Sequence, residues 1–261
     1  MSYLQAVVLG IVQGLTEFLP ISSSGHLILV PHLFGWPDQG QAFDAVMHIG
    51  TLAALVAYFR VELVSLVTGA LPRRVAMILV AATIPAGVAG LCLGTVIETT
   101  LRSPALIAGT TAFWGVVMWI ADRHARPAPA AAGEPLEQVD LPRGLAVGCA
   151  QALALIPGTS RSGITITAGL FSGLDRATAA RYSFLLGIPI TAAAGGFKLL
   201  HVLRAGFPAS DGGPLVAGVL AAFLSGWLAV WFLVSYLRRR SLTPFVIYRL
   251  LLALAILIAL Y

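Results

Sequence analysis

Long apolar segments occupy most of this chain, and short polar or glycine- and proline-rich stretches separate them. Six of the segments approach the roughly 20 residues that a helix needs to cross a bilayer. They cover 43–59, 75–97, 104–121, 182–203, 214–237 and 244–260. The pattern therefore predicts an all-α polytopic membrane protein with six transmembrane helices.

Two further stretches resemble each other and interrupt the apolar pattern in the same way. In each of them, at 3–34 and at 144–173, an apolar segment runs through a proline and a Ser/Gly turn into another apolar segment. Irregular polar backbone in a membrane is tolerated only where it is buried in protein or lines a cavity. We interpret both stretches as re-entrant helical hairpins. At a constant offset of 138 residues, Gly10, Gln13, Leu15, Ser22, Ser24 and Gly25 match Gly148, Gln151, Leu153, Ser160, Ser162 and Gly163.

The order of these elements predicts an inverted-topology repeat. One hairpin and three spans per half give an odd number of crossings, so the second half starts on the opposite side of the membrane. The first repeat is expected at 1–126 and the second at 143–261, joined by a cytoplasmic linker at 127–142. Its segment 127–137 is rich in Ala and Pro and is expected to be mobile. The hairpins then enter from opposite faces, and their turns are expected to meet near the middle of the membrane.

Composition and charge agree with a membrane protein and orient it. Hydrophobic residues make up 58% of the chain and charged residues 10%, against about a quarter charged in soluble domains. The net charge of +5 does not indicate nucleic acid, because the arginines lie in short loops between spans. Eleven arginines fall on one predicted side and only Arg102, Lys198 and Arg204 on the other, which places the first side in the cytoplasm. Both termini and the mouth of the site then face outward.

Few ionisable side chains lie deep in apolar sequence. Glu17 is the only acid well inside such a segment, and Gln13 lies on the same helix face because it is four residues away. Arg161 lies within the second serine turn. A charge at the centre of a membrane costs about 3 kcal/mol or more unless it is paired or hydrated, so these residues indicate a functional site. His48 and Arg249 are instead expected to have a packing role and to snorkel to the interface, respectively.

The two serine turns favour a phosphate ligand. Residues 22–26 and 160–163 each lead into an apolar helix, and helix N-termini bind phosphate through free N–H groups. Arg161 adds a planar fork of donors that matches phosphate oxygens. Serines before a helix are also ordinary N-caps, but that explanation leaves Arg161 and His26 unaccounted for. With Glu17, these residues predict a phosphate-processing centre.

These motifs resemble the signatures of the undecaprenyl-diphosphate phosphatase family, also called the bacitracin-resistance or BacA family. The family's Glu/Gln-x-x-x-Glu motif corresponds to 13–17, its Pro-x-Ser-Ser-x-Gly-His element to 20–26, and its Pro-Gly-x-Ser-Arg-Ser-Gly-x-Thr motif to 157–165. The resemblance covers the full chain. It implies hydrolysis of undecaprenyl diphosphate in the bacterial inner membrane, which recycles the lipid carrier of peptidoglycan synthesis and gives bacitracin resistance. It also implies Mg²⁺ or Ca²⁺ as a supporting cation.

The requirements of phosphoryl transfer suggest roles for individual residues. Glu17, with help from Gln13, would hold the cation or orient a water, although an amide oxygen is a weaker ligand than a carboxylate for hard cations. His26 would be the nucleophile or the general acid/base, and Ser23, activated by His26, is the rival nucleophile; direct attack by water stays open. Arg161 would clamp the diphosphate. The other substrate-binding candidates are Ser22, Ser24, Gly25, Ser160, Ser162, Gly163 and Thr165.

The rival interpretation is a secondary transporter or a polyprenyl-phosphate flippase, because inverted repeats with broken helices also build transporters. Against it, the polar residues gather at one centre, and no second chain of ionisable groups marks an ion path. The expected partners are the lipid substrate and the bilayer. Whether the chain forms a homo-oligomer is left open by the sequence.

Overall fold

The computed structural model describes residues 1–37, 39–101, 103–126, 135–205 and 212–260. Within these ranges all regular secondary structure is helical. Short 3₁₀ turns occupy Leu136–Gln138 and Leu153–Leu155. The α-helices are α1 (Tyr3–Phe18), α2 (Ser23–Leu33), α3 (Gly40–Tyr58), α4 (Arg60–Thr68), α5 (Arg73–Thr100), α6 (Pro104–Arg123), α7 (Leu141–Ala152), α8 (Arg161–Phe171), α9 (Arg176–Ala205), α10 (Gly212–Leu237) and α11 (Thr243–Leu260).

Four helices in the described ranges are long and apolar enough to cross a membrane, namely α5, α6, α10 and α11. Helices α3 and α4 form a fifth candidate that bends by 67° at the break between them. The predicted span 182–203 lies within α9, a helix of 30 residues that is not among these candidates from the described residues. The all-helical polytopic class is thus confirmed, whereas the number of six spans stays a prediction.

The helices of the two halves interlock. Helix α1 packs along α10, and α7 packs along α5. Helix α2 contacts α11, and α8 contacts α6. Helices α3 and α9 pack against each other, as do α6 and α11. Each hairpin is therefore held by spans from the opposite half of the chain.

Glycines allow the first helix of each hairpin to approach its supporting span closely. A Cβ atom at Gly10 of α1 would collide with the carbonyl oxygen of Gly218 in α10. A Cβ atom at Gly148 of α7 would likewise collide with the backbone of Ala82 in α5. Small residues are the usual means of bringing membrane helices into backbone contact. The matched pair Gly10 and Gly148 therefore fixes how deeply both hairpins are seated.

Each hairpin turns through a serine in the left-handed backbone region. Ser22 has a φ of 74° and Ser160 has a φ of 69°, and no other non-glycine residue in the described ranges has a positive φ. Such a conformation costs about 1–3 kcal/mol and persists only where the surroundings impose it. The two serines are 138 residues apart, so both hairpins contain the same strained turn just before α2 and α8.

Part of the predicted linker at 127–142 packs against the rest of the protein. Residues 127–134 lie outside the described residues. Leu136 and Val139 are buried in the main hydrophobic core, and Nη2 of Arg74 donates to the carbonyl oxygen of Glu137 at 3.3 Å. The segment 135–139 therefore packs against the first half, and the mobility expected for 127–137 does not extend to the buried Leu136.

Candidate active site

An ion pair between the two hairpins lies at the centre of the candidate site. Glu17 is in the last turn of α1 and Arg161 is the first residue of α8. Nη2 of Arg161 donates to Oε1 of Glu17 at 3.1 Å, and the two side chains are only 12% and 9% exposed. Removing one partner of such a buried pair leaves an uncompensated charge, which is strongly destabilising. The pair therefore ties α8 to α1.

The second carboxylate oxygen of Glu17 collects polar groups from three helices. Oε2 accepts from Nε2 of Gln13 at 3.2 Å and from the hydroxyl of Ser23 at 3.4 Å. Nε2 of His48, on α3, lies 3.6 Å from the same oxygen. Four of the predicted site residues, Gln13, Glu17, Ser23 and Arg161, are thus brought together, and His48 joins them.

Arg161 has more hydrogen-bond donors than the protein uses. Its Nε and Nη1 atoms are buried and have no acceptor. Gly187 of α9 makes room for this guanidinium, because a Cβ atom there would collide with Nη1. A buried donor without a partner costs about 1–3 kcal/mol, and more when it is charged. The arrangement is suited to an anionic ligand that would accept from these donors.

The two serine turns contact each other directly. The backbone N–H of Gly158 donates to Oγ of Ser24 at 3.0 Å, and Oγ of Ser162 donates to the carbonyl oxygen of Leu19 at 3.3 Å. Ser22 bonds to Ser24 at 3.2 Å through their hydroxyls. The hydroxyls of these serines therefore hold the two turns together. This structural role is distinct from the substrate contact predicted for the same residues.

The remaining candidates in the second turn are also engaged within the protein. Oγ of Ser160 accepts from the N–H of Gly163 at 3.2 Å and lies 3.3 Å from Oγ of Ser162. Oγ1 of Thr165 donates to the carbonyl oxygen of Arg161 at 2.7 Å and lies 2.6 Å from Oγ of Ser183. These contacts fix the backbone that carries Arg161. Substrate binding by these residues, and by the packed Gly25, stays a prediction.

His26 faces away from Ser23. Its Nδ1 lies 2.7 Å from the carbonyl oxygen of Ser22, and since a carbonyl can only accept, Nδ1 carries the proton. Its Nε2 lies 2.7 Å from the hydroxyl of Tyr248 on α11, with the two rings stacked. Ser23 instead bonds to Glu17, because the first residue of α2 is directed toward α1. The expected activation of Ser23 by His26 is not seen in this arrangement.

Arg249 is buried at the junction of both turns, so the snorkelling expected of it is wrong. It is 1% exposed, because α11 packs on α6 with this side chain between them. Its Nε donates to the carbonyl oxygen of Thr111 at 2.9 Å, and Nη2 donates to those of Gly158 and Thr159 at 2.9 and 3.1 Å. Nη1 reaches the carbonyl oxygen of Pro20 in the first turn at 3.4 Å. Arg249 therefore connects both hairpins to α6.

Sequence reasoning missed His48 and Arg249 as parts of the site, although signals existed. Arg249 lies six residues beyond the start of α11, which is about 9 Å along a helix and far from the end of the span. It also lies 138 residues after Thr111, the repeat offset. His48 shared a span with other polar residues, but only the packing of α3 on α1 shows which helix face it occupies.

These features together define a polytopic helical membrane protein with a charged site enclosed between two hairpins. The description "Bacitracin resistance protein BacA" belongs to the family model that matches residues 6–255. The chain therefore belongs to the BacA family, as its motifs predicted.

Curated relatives align with this chain along nearly its whole length. "Undecaprenyl-diphosphatase 2" of Stutzerimonas stutzeri (strain A1501) is 48% identical over 269 residues, covering 99% of this chain and 98% of that protein. "Undecaprenyl-diphosphatase" of Teredinibacter turnerae is 45% identical, covering 99% of this chain and all of that protein. The protein of the same name from Moorella thermoacetica is 48% identical, covering 100% and 98%.

The burial of Arg249 leads to a prediction about stability. Arg249→Met would remove the four hydrogen bonds from the guanidinium to backbone carbonyl oxygens, and hydrogen bonds to a charged group contribute about 1.5–3 kcal/mol each. We expect a clearly lower thermal unfolding temperature in detergent. Arg249→Lys should restore part of the loss, because an ammonium still donates to some of the carbonyls. Arg239→Met, at an exposed loop position, is the matched control; equal unfolding temperatures for both Met variants would contradict the assignment.

Proposed function

We propose that this protein hydrolyses undecaprenyl diphosphate to undecaprenyl phosphate and inorganic phosphate. The full-length similarity to proteins named undecaprenyl-diphosphatase supports the substrate. The structural observation that carries the proposal is the guanidinium of Arg161, which is held by Glu17 through one nitrogen and keeps two buried donors without acceptors. A terminal phosphate is the group that such a fork matches.

A lipid substrate suits the surroundings of the site. The long prenyl tail can stay in the hydrocarbon of the bilayer while the diphosphate enters between the hairpins. We place the protein in the bacterial inner membrane, where hydrolysis would return the carrier lipid to peptidoglycan synthesis. Lowering the amount of the diphosphate form would also give resistance to bacitracin.

Ser23 is the nucleophile that the geometry favours. Its hydroxyl already donates to Oε2 of Glu17, so the carboxylate is placed to take the proton as Oγ attacks the terminal phosphorus. A bond forms between Oγ and phosphorus, the bond from phosphorus to the bridging oxygen breaks, and undecaprenyl phosphate leaves. Water then hydrolyses the phosphoserine and releases phosphate. Arg161 would neutralise charge on the phosphate oxygens during both steps.

His26 is assigned a positioning role in this scheme. Both of its ring nitrogens are engaged, by the carbonyl oxygen of Ser22 and by the hydroxyl of Tyr248. The first of these bonds supports the strained turn that places Ser23. For His26 to attack phosphorus, its bond to Tyr248 would have to break first.

A divalent cation fits part of this site. The amide nitrogen of Gln13 lies 3.2 Å from Oε2 of Glu17, and the amide oxygen of Gln13 is buried without a partner. One carboxylate with water and substrate phosphate oxygens is an ordinary environment for Mg²⁺. We propose that these two residues hold the cation, which would supply additional positive charge to the diphosphate.

The helix pairing supports the proposal of an inverted repeat of six spans and two re-entrant hairpins. Exchanging α1 with α7 and α10 with α5 converts one observed contact into another, and the same holds for the contact of α2 with α11 and that of α8 with α6. The strained serines also occupy matching positions, Ser22 and Ser160. The proposed repeats are 1–126 and 143–261.

The proposed orientation places the arginine-rich loops in the cytoplasm and both termini in the periplasm. Asp122 at the end of α6 accepts from Nε of Arg176 at 2.5 Å and from the backbone N–H of Leu242 at 3.0 Å. Arg181 also pairs with Glu62 of α4 at 3.4 Å. The basic loops thus lie at one end of the bundle, in agreement with the positive-inside rule.

Loss of the guanidinium fork should abolish most of the activity. We expect Arg161→Lys to reduce phosphate release from undecaprenyl diphosphate by about 100-fold or more, since a catalytic electrostatic contact is lost. The assay uses purified protein in detergent, where transport of the lipid has no meaning. Arg143→Lys, outside the site, is the matched control. Near-normal turnover of Arg161→Lys would exclude the clamp, and no phosphate release by the unmodified protein would overturn the proposed function.

The two candidate nucleophiles can be separated by trapping. With substrate labelled in its terminal phosphate, acid-quenched reactions of the unmodified protein should contain acid-stable phosphoserine. Ser23→Ala should lose both the label and the turnover, whereas His26→Gln should keep labelling at a reduced rate. Acid-labile label that disappears in His26→Gln would assign the attack to His26, and label in neither protein would indicate direct attack by water.

Cysteine labelling tests the orientation. In a background with Cys92→Ser and Cys149→Ser, a cysteine replacing Leu33, exposed at the end of α2, should react with an impermeant maleimide added to spheroplasts. A cysteine replacing Arg239, exposed in the loop between α10 and α11, should react only after the membrane is permeabilised. The reverse result would invert the proposed orientation.

A further inference from the structure

His48 directs one ring nitrogen at the centre of the site. It lies on α3, and its Nδ1 is 2.6 Å from the carbonyl oxygen of Asp44, so Nδ1 carries the proton. In the neutral ring, Nε2 then carries a lone pair that can accept a hydrogen bond or bind a cation. This atom lies 3.6 Å from Oε2 of Glu17 and 3.4 Å from the amide group of Gln13. The bond from Nδ1 to a backbone carbonyl is the support that metal-binding histidines commonly have.

The three side chains form a triangle with the dimensions of a coordination site. Nε2 of Gln13 lies 3.2 Å from Oε2 of Glu17 and 3.4 Å from Nε2 of His48. Nε2 of His48 lies 3.6 Å from Oε2 of Glu17. Donor atoms that share one first-row ion, each about 2.0–2.2 Å from it, are separated by about 3.0–3.6 Å. The oxygen and nitrogen of the Gln13 amide are interchangeable by a rotation about the last side-chain bond. That rotation would turn its unpartnered oxygen toward the other two donors.

The two carboxylate oxygens of Glu17 contact different groups. Oε1 of Glu17 is held by Arg161, while Oε2 faces Gln13, His48 and the hydroxyl of Ser23. No cluster of three or more His, Cys, Asp or Glu side chains suited to a metal occurs in the described part of the chain. The protein would therefore supply only a few ligands here and leave positions for water or phosphate oxygens, which is typical of catalytic rather than structural sites.

We propose that Nε2 of His48 is a ligand of a divalent cation, together with Oε2 of Glu17 and the amide oxygen of Gln13. The inference deepens the proposed function, on which its catalytic meaning rests. A nitrogen ligand and a single carboxylate suit first-row ions such as Mn²⁺ better than Ca²⁺, which takes six to eight oxygens. The site is thus expected to prefer Mn²⁺ over Ca²⁺, with the imidazole as the cause.

Electron spin echo spectroscopy of bound Mn²⁺ tests the proposal without any turnover. The full chain is purified in detergent, its affinity tag is removed, and Mn²⁺ is added in the absence of substrate. We expect modulation from the ¹⁴N nucleus of a directly bound imidazole. His48→Gln should remove this modulation and weaken Mn²⁺ binding by about tenfold or more, and the preference over Ca²⁺ should fall with it.

His124→Gln is the matched control, because His124 bonds to its own helix end at an exposed position. It should change neither the modulation nor the affinity. Bound Mn²⁺ without ¹⁴N modulation in the unmodified protein would overturn the proposal, and so would the absence of Mn²⁺ binding. These readouts do not depend on whether His48→Gln folds.

Phosphate release by the same preparation separates this inference from the proposed function. Turnover with Mg²⁺ but no imidazole-bound Mn²⁺ would show that His48 is not a cation ligand and would leave the phosphatase proposal intact. Imidazole-bound Mn²⁺ without phosphate release under any cation would support the metal site and overturn the phosphatase.

Discussion

The ion pair between Glu17 and Arg161 is the contact on which the rest of the site depends. Neither residue could remain charged in this interior alone, because an isolated buried charge is too costly. The pair requires the end of α1 to meet the start of α8, although the two residues are 144 positions apart in the chain. When the two helix ends meet, Ser23, Gln13 and His48 surround Oε2 of Glu17, the carboxylate oxygen that Arg161 does not bind.

Other contacts impose the backbone that this pair requires. Ser22 and Ser160 adopt left-handed conformations that an isolated turn would avoid. Arg249 fixes the carbonyls around the second turn and reaches the first one, and it is buried without any carboxylate partner in the described part of the chain. Strain and buried charge thus occur close to the groups that would perform the chemistry, while the apolar packing lies around them.

The sequence predicts the elements better than their contacts. Apolar runs and the matching of Gly10 with Gly148 and of Ser22 with Ser160 indicate helices and two hairpins, because these depend on local composition. The neighbours of His26 and Arg249 depend on how α11 rotates and packs, which no short pattern encodes. The alternation of polar and apolar residues is also weak in membrane helices, since lipid and protein interior are equally apolar, so the inward face of α3 with His48 was not evident.

The interlocked packing has a consequence for how the chain is made. Helix α1 leaves the ribosome well before α10, which is its main packing partner. Until α10 has been made, the first hairpin therefore lacks the helix on which Gly10 packs. A chain truncated before α10 would contain every sequence motif of the site but lack the helix against which α1 packs, so the site can be completed only after α10 has been made.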